Sequence, residues 1–231
     1  DDGTTLWVRL SDSRAPDANL RPFARDATLA KISNGSPTVL FEGISFEGGA
    51  TCFTVQATSG ATTPVVYFYG CAFKYAGADG LSNVGADTFC QNCLAAGNTR
   101  DGFHYAERAT AIRQARGVEV DCIGRDGGDG ISHIDNASTA HNSSVVIRLG
   151  GQYYRTKGRP LHDVGPTKSW NVACWVHDPD DAVNDYCVGC GTGAADTTTM
   201  WLDHCVTNGG AYDLNPVAGT TIYTRVCDFR S

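Results

Sequence analysis

A short strand that ends at a cysteine or a glycine recurs along this chain, and this repeat constrains the fold more than any other feature. The terminal Cys or Gly recurs at intervals of 22 to 31 residues between Cys71 and Cys227. The copies lie at 65–71, 88–93, 117–122, 145–151, 170–174, 200–205 and 222–227. A fixed order of elements at such a period is typical of a solenoid, in which each repeat packs against its neighbours.

Each of the first six copies precedes a turn rich in Gly, Asp and Asn and a second apolar strand. These second strands are expected at 80–84, 102–105, 130–134, 160–164, 183–186 and 212–217. No segment shows sustained helical periodicity, and the nearest, 105–116, has room for one short helix or a loop. We therefore predict a coil of two or three strands per turn, each strand paired in parallel with its copy one coil away.

The cysteine position allows two placements. If the strand alternation runs through it, Val118, Val120 and Cys122 share one interior face. If the preceding residue forms a left-handed bend, the alternation restarts there. Positions 70, 92, 121 and 150 carry Gly, Asn or Asp, which tolerate that bend. The sequence alone leaves both placements open.

The chain has ten cysteines, most of them at the repeat position, which favours buried reduced thiols. One or more disulfides is the alternative, because adjacent coils lie within disulfide distance. The Cys-x-x-Cys pairs at 90–93 and 187–190 fall too many coils apart to share a zinc ion.

Composition excludes several classes of function. The net charge is −7 and the basic residues are interleaved with acidic ones, which argues against nucleic-acid binding. No apolar run is long enough to span a membrane. We expect one domain over 1–231, with a less regular coil at 1–38. Because the last repeat has no polar cap, we also expect either a longer chain or a partner at that end.

The segment Val-Glu-Val-Asp-Cys at 118–122, with Asp-Gly-Phe at 101–103 and Asp-Gly-Ile at 129–131, resembles a known repeat. It is similar to that of the right-handed parallel β-helix group, pectate-lyase-like in shape, which includes polysaccharide lyases and hydrolases and phage tailspikes. The resemblance runs from about Val39 to the end of the chain. It implies an all-β, right-handed parallel β-helix of about seven or eight coils, and it specifies the fold better than the activity.

Stacking of the second strands predicts a polar cluster on the middle coils. If Phe103, Ile131 and Leu161 point inward, their neighbours His104, Ser132 and His162 form an outward column. His133 and Asp163 then lie at its edge. The adjoining turns and the next coil add charged and aromatic side chains: Arg100, Asp101, Asp126, Asp129, Tyr154, Arg155, Lys157, Arg159, Trp175, His177, Asp178, Asp180 and Asp181.

Histidine beside carboxylate suits proton transfer near neutral pH, and paired carboxylates suit glycoside hydrolysis. The predicted catalytic residues are Asp129 or Asp163 as acid or base, His133 and His162 as proton-transfer partners, and Arg159 as the group that neutralises a substrate carboxylate. The predicted sugar-binding residues are His104, Asp126, Tyr154, Trp175 and His177. His141, in a loop that folds back over this face, is a weaker candidate. The alternative is a solvated polar surface without a ligand.

The function expected from this resemblance and cluster is recognition, with or without depolymerisation, of an extracellular or cell-surface polysaccharide. A phage tailspike or a secreted polysaccharide-degrading protein would have this role, outside the cell or on a virion. The alternative is a non-catalytic assembly module of a homo-oligomer such as a trimer. We expect no resident cofactor or metal. A calcium ion at Asp126 and Asp129 is the one exception considered.

Overall fold

The described part of the chain folds as an all-β parallel solenoid. A computed structural model describes residues 27–33, 35–58, 63–107, 113–128, 135–180, 186–192 and 196–230. Every regular element in these ranges is a strand, and the strands form three parallel sheets of eight strands each. None of these ranges contains a helix that could cross a membrane. The predicted fold class is therefore confirmed.

Each coil passes through the three sheets in turn. Sheet 1 contains Ala30–Ser33, Phe53–Gln56, Leu81–Val84, Phe103–Ala106, Ser138–His141, Leu161–Asp163, Tyr186–Cys190 and Tyr212–Pro216. Sheet 2 contains Thr38–Glu42, Val65–Tyr69, Asp87–Gln91, Arg116–Val120, Val145–Leu149, Lys168–Val172, Thr199–Asp203 and Thr221–Arg225. Sheet 3 contains Ser45–Glu47, Ala72–Lys74, Leu94–Ala96, Ile123–Arg125, Gln152–Tyr154, Trp175–His177, Val206–Asn208 and Asp228–Arg230.

Sheets 2 and 1 hold the first and second strands of the predicted repeat, with two corrections in sheet 1. The strand predicted at 183–186 is Tyr186–Cys190, which shares a single residue with the prediction. The predicted strand at 130–134 lies wholly outside the described residues. Its place beside Phe103–Ala106 and Leu161–Asp163 is taken by Ser138–His141. Sheet 3 was not located from sequence. Its strands have three residues each, too few for an alternation to be recognised.

A left-handed residue follows each of the eight sheet-2 strands and decides which side chains face inward. The positive φ angles are 64° at Gly43, 59° at Gly70, 53° at Asn92, 50° at Asp121, 66° at Gly150, 54° at Ala173, 52° at His204 and 52° at Val226. The bend restarts the alternation, so Cys122 is buried together with Glu119. Val118 and Val120 instead lie on the half-exposed outer side. The continuous-face placement is therefore wrong, and the bend placement is confirmed.

The cysteines after the bend form a ladder of thiol hydrogen bonds. Cys122 Sγ donates to Val120 O two residues back, at 3.6 Å, and to Cys90 O in the preceding coil, at 3.4 Å. The same two acceptors, the carbonyl two residues back and a carbonyl of the preceding coil, accept from the thiols of five other cysteines: Cys71, Cys93, Cys174, Cys205 and Cys227. All ten cysteines are free, and nine of them are buried. The predicted packing of the cysteines inside the coil is confirmed.

A buried charge network lies where two apolar clusters of the core meet. Arg148 is fully buried on sheet 2 and donates to both carboxylate oxygens of Asp163, at 2.9 and 3.1 Å. Its Nε donates to Ser138 Oγ at 2.8 Å, and Ser138 Oγ donates to Glu119 at 2.6 Å. Tyr153 also donates to Glu119, at 2.8 Å.

The two buried carboxyls of this network differ in pKa. Burial raises the pKa of Glu119. Burial acts on Asp163 in the same direction, but the Arg148 charge and its hydrogen bonds outweigh it and hold the pKa of Asp163 below its usual value. The ion pair of Arg148 and Asp163 therefore persists at neutral pH.

Replacing Arg148 tests how far the interior depends on this charge. Arg148→Met leaves Glu119 and Asp163 buried without their cation, and removing one partner of a buried pair costs about 3–5 kcal/mol. We expect the free energy of unfolding in denaturant titrations to fall by that amount. Arg155→Met, which removes an exposed ion pair with Asp126, is the control and should change it little. Equal losses in the two variants would contradict the network.

Candidate functional site

The structure divides the predicted site residues among three places. His104, His162 and Arg159 lie at the outer side of sheet 1. Asp126, Tyr154, Trp175 and His177 lie on the outer side of sheet 3 or at the end of its strands. Asp163 lies inside the coil. Asp129 and His133 are outside the described residues. The single converging cluster expected from the sequence is therefore not what the described residues form.

Asp163 was placed at the edge of an outward column, and this placement is wrong. It is fully buried, and besides Arg148 its carboxylate accepts the backbone N–H of Ala140 at 2.9 Å. Alternation along Leu161–Asp163 puts Asp163 on the same interior face as Leu161, two residues before it. The ion pair with Arg148 compensates the buried charge. The acid–base role of Asp163 stays a prediction, and its carboxylate has no exposed surface.

His104, Thr139 and His162 occupy equivalent positions on three consecutive strands of sheet 1. Thr139 thus takes the place predicted for Ser132. Two residues beyond Thr139, the ring of His141 meets the ring of His104 with 4.9 Å between their centroids. His141, predicted as a weaker loop candidate, is therefore part of this outer face. The strand beside Phe103–Ala106 was predicted seven residues too early in the chain, and this error hid the contact between His141 and His104.

His162 and Arg159 form a second pair on this face. His162 Nε2 lies 3.2 Å from an Arg159 guanidinium nitrogen and 3.1 Å from Gly191 O. Both side chains lie over Gly189, where a Cβ would come within 2.3 Å of Arg159 and 2.6 Å of His162. The glycine in the second Cys-x-x-Cys pair is thus explained by this close approach. Gly189 was therefore the sequence feature that could have indicated the pair of His162 and Arg159.

Three aspartates lie next to the histidines, at the turn into sheet 1. Asp79, Asp101 and Asp135 are only 7%, 3% and 1% exposed. Burial raises the pKa of Asp101 to about 8, and the charges of Asp79 and Asp135 add to that effect. Suitably placed atoms of Asp101, His104 and His141 all lie within 4.8 Å of one another. The described residues thus contain one group with the composition of a metal site.

The histidines of this face stay neutral near pH 7. Burial lowers the pKa of His141 to about 3, and the nearby His104 and His162 act in the same direction. Burial also lowers the pKa of His162 to about 4, assisted by the charge of Arg159. Neutral imidazoles accept a proton or bind a metal but do not serve as ready acids.

An aromatic stack on sheet 3 brings together three of the predicted sugar-binding residues. The Tyr154 and His177 rings stack with centroids 4.5 Å apart, and Trp175 stacks on His177 at 4.0 Å. Arg155 lies over the Tyr154 ring, with its Cζ 4.9 Å from the centroid. We call these four residues the aromatic stack. Trp175 is 42% exposed, so it offers aromatic surface to a ligand.

Charged side chains border the aromatic stack. Asp126 accepts from Arg155 Nε at 2.7 Å and also pairs with Arg125. Partial burial opposes ionisation of Asp126, but these guanidinium groups hold its pKa below the usual value. Asp178 bonds to His177 Nδ1 at 2.8 Å. Because Asp126 is already paired with two cations, it is a poor candidate for the calcium site considered above.

An apolar ladder runs along the middle of the outer face of sheet 2. Eight register-equivalent positions carry Leu40, Tyr67, Phe89, Val118, Ile147, Trp170, Trp201 and Tyr223. Its rings stack in parallel along the coil: the Trp170 and Trp201 centroids are 4.7 Å apart, at an interplanar angle of 2°. Stacked rings cover each other's faces, so the ladder presents mainly ring edges to the solvent.

Comparison with known proteins found no matching family, no similar curated protein and no similar solved structure. The parallel β-solenoid is thus established by the structure, whereas kinship with the pectate-lyase-like group is not.

Replacing His162 tests its buried, neutral state. The pKa of this histidine is 6.5 in the unfolded chain and about 4 in the folded chain, so the unfolded chain takes up the proton first as the pH falls. Acidification through this window therefore destabilises the fold. His162→Gln cannot take the proton but keeps a donor and an acceptor for Gly191 and Arg159. Between pH 7 and 5, we expect the variant to lose about 2 kcal/mol less of its unfolding free energy than the wild type. Parallel pH profiles would contradict the assignment.

Proposed function

We propose that this chain binds a polysaccharide outside the cell or on a virion, through the aromatic stack of sheet 3. The observation that carries the proposal is the exposed Trp175 at the end of a stack of Arg155, Tyr154 and His177. Amphipathic rings with a polar border suit sugar rings, which present C–H faces and hydroxyl edges together.

The charged border supports the same ligand class. Carboxylates of Asp126 and Asp178 accept hydrogen bonds from hydroxyls, and Arg155 donates to hydroxyls or to an acidic sugar. Lys157, paired with Asp180 at 2.5 Å, extends the border along the next turn. A solenoid places such groups on successive coils, which suits a polymer better than a compact ligand.

Depolymerisation is the weaker part of this proposal. Of the predicted catalytic residues in the described ranges, His162 and Arg159 lie on the outer side of sheet 1 and Asp163 lies inside the coil. Glycoside hydrolysis needs two carboxyl groups that reach the same bond. We therefore propose binding as the primary activity. Assays for new reducing ends and for unsaturated sugars absorbing in the near ultraviolet test depolymerisation separately.

A glycan array with acidic and neutral polysaccharides, followed by titration of any ligand found, tests the binding proposal. We expect Trp175→Ala to weaken binding at least ten-fold, which corresponds to about 1.4 kcal/mol. Trp170→Ala, on the outer face of sheet 2, is the matched control and should bind like the wild type. The proposal fails if no glycan binds, or if the two variants lose affinity equally.

A second function, self-assembly, is favoured by the apolar ladder of sheet 2. The ladder spans seven steps of about 4.8 Å, roughly 34 Å in all. Leu40 is 62% exposed, and Tyr67, Phe89, Trp170 and Tyr223 are 36–53% exposed. A contiguous exposed apolar surface of this extent marks an interaction site. Ring edges without free faces suit a flat protein surface better than a sugar, so we propose a second copy of this chain as the occupant.

Light scattering over a range of concentrations tests self-assembly. We expect the wild type to form a homo-oligomer and Phe89→Lys to shift it towards monomer, because a charge within the ladder cannot be buried there without a partner. Leu94→Lys, on the outer side of sheet 3, is the control and should keep the wild-type mass. A wild type that stays monomeric at every concentration would exclude this second function.

A further inference from the structure

Asp101, His104 and His141 are held together by the register of sheet 1. Asp101 precedes the strand Phe103–Ala106, which carries His104, and His141 ends the next strand, Ser138–His141. Parallel pairing of these strands fixes their alignment at every residue. Possible ligand atoms of the three side chains consequently lie within 4.8 Å of one another. A shift of a few tenths of an ångström to an ångström in each side chain would bring them into one coordination sphere.

Each imidazole has one nitrogen engaged by an oxygen. His104 Nδ1 lies 3.3 Å from Ser82 Oγ and 3.4 Å from Asp79 Oδ2. His141 Nε2 lies 3.0 Å from Thr139 Oγ1. Among the described residues, no hydrogen bond engages the second nitrogen of either ring. A histidine whose one nitrogen is held by an oxygen while the other stays open has the arrangement of a metal ligand.

The carboxylates beside the histidines provide an independent indication. Asp101 Oδ1 accepts the backbone N–H of Asn136 at 2.9 Å, which fixes the carboxylate and leaves Oδ2 for another partner. Asp79 is 7% exposed, and its Oδ1 is buried with no hydrogen-bond partner in the described part of the chain. A buried, unpartnered carboxylate oxygen is costly unless a cation compensates it.

We propose that Asp101, His104 and His141 bind a divalent first-row transition-metal ion, with Asp79 orienting His104 from the outer shell. Two imidazoles and a carboxylate suit zinc and its neighbours, whereas calcium and magnesium prefer sets made of oxygen alone. Three protein ligands leave a coordination position for water or another ligand. The proposal does not depend on polysaccharide binding, because the aromatic stack uses other residues.

Zinc binding to the full chain, freed of metal by chelation, is the first test. We expect one equivalent by calorimetry and by metal analysis after desalting. We also expect a higher melting temperature in the presence of zinc, because the ion binds the folded state. Cobalt in place of zinc should give the visible bands of a nitrogen and oxygen site. A strong thiolate-to-cobalt band would instead show binding by cysteines and would overturn the assignment.

Variants locate the site. His104→Gln and His141→Gln should each weaken zinc binding at least about 100-fold, and Asp79→Asn about 10-fold, as expected for a ligand and for its outer partner. His204→Gln is the matched control, because His204 is exposed and bonds to Asp203 far along the coil. Circular dichroism checks the fold of each variant. If a variant does not fold, the cobalt spectrum of the wild type still shows whether nitrogen and oxygen ligands bind the metal.

Two results would overturn the proposal. One is the absence of stoichiometric zinc or cobalt binding to the folded wild type. The other is binding that persists with unchanged affinity in folded His104→Gln and His141→Gln. A loss of glycan binding in Trp175→Ala with zinc binding intact would confirm that the two sites are separate.

Discussion

The left-handed bend at the end of each sheet-2 strand determines which side chains the coil buries. A strand alternates its faces, and a residue with φ near +50 to +66° restarts that alternation. The bend turns the cysteine inward after an outward residue, and its thiol then donates to carbonyls of its own coil and of the preceding coil. Ala173 and Val226 adopt this conformation although it costs them about 1–2 kcal/mol each. The pairing of the neighbouring coils imposes the bend at these two positions.

Burial of Arg148 and of the apolar clusters follows from the same bend. The inward positions of sheet 2 are Phe68, Cys90, Glu119, Arg148 and Asn171 on consecutive coils. In the middle of the solenoid these side chains change from apolar to charged. Across the interior, Arg148 donates hydrogen bonds to Ser138 and Asp163 of sheet 1, and Glu119 accepts one from Ser138. A slip of one residue would turn all of these groups to the solvent, so the network specifies the register as well as filling the core.

The three outer faces have different chemistry, although one repeat builds them all. Sheet 2 presents an apolar ladder, sheet 3 presents the aromatic stack with charged borders, and sheet 1 presents histidines next to buried aspartates. Side chains on different sheets point in different directions from the coil. The proposals of self-assembly, glycan binding and metal binding therefore use separate residues, and substitutions on one face should leave the others intact.

The repeat was sufficient to predict the all-β solenoid, the strands of sheet 2, half of the strands of sheet 1 and the packing of the cysteines. These features depend on local patterns that recur at every coil. Three of the predicted sugar-binding residues, Tyr154, Trp175 and His177, do lie together, because Tyr154 pairs in register with His177 on the next coil and Trp175 stacks on His177. It did not reveal sheet 3, since strands of three residues leave no alternation to detect.

Tertiary structure alone decided the faces and the sites. The segment that continues sheet 1 after Phe103–Ala106 is Ser138–His141, and hydrogen bonding between coils, not the local pattern, selected it. That choice brought His141 to His104 and Asp101. Likewise, Asp163 lies on the interior face of its strand, and the buried Arg148 from sheet 2 pairs with its carboxylate there. The local sequence thus determined that the chain forms a solenoid, because the strand-and-turn repeat recurs in it at every coil. Which residues meet was decided by the alignment of coils, because that alignment depends on contacts between segments far apart in the chain.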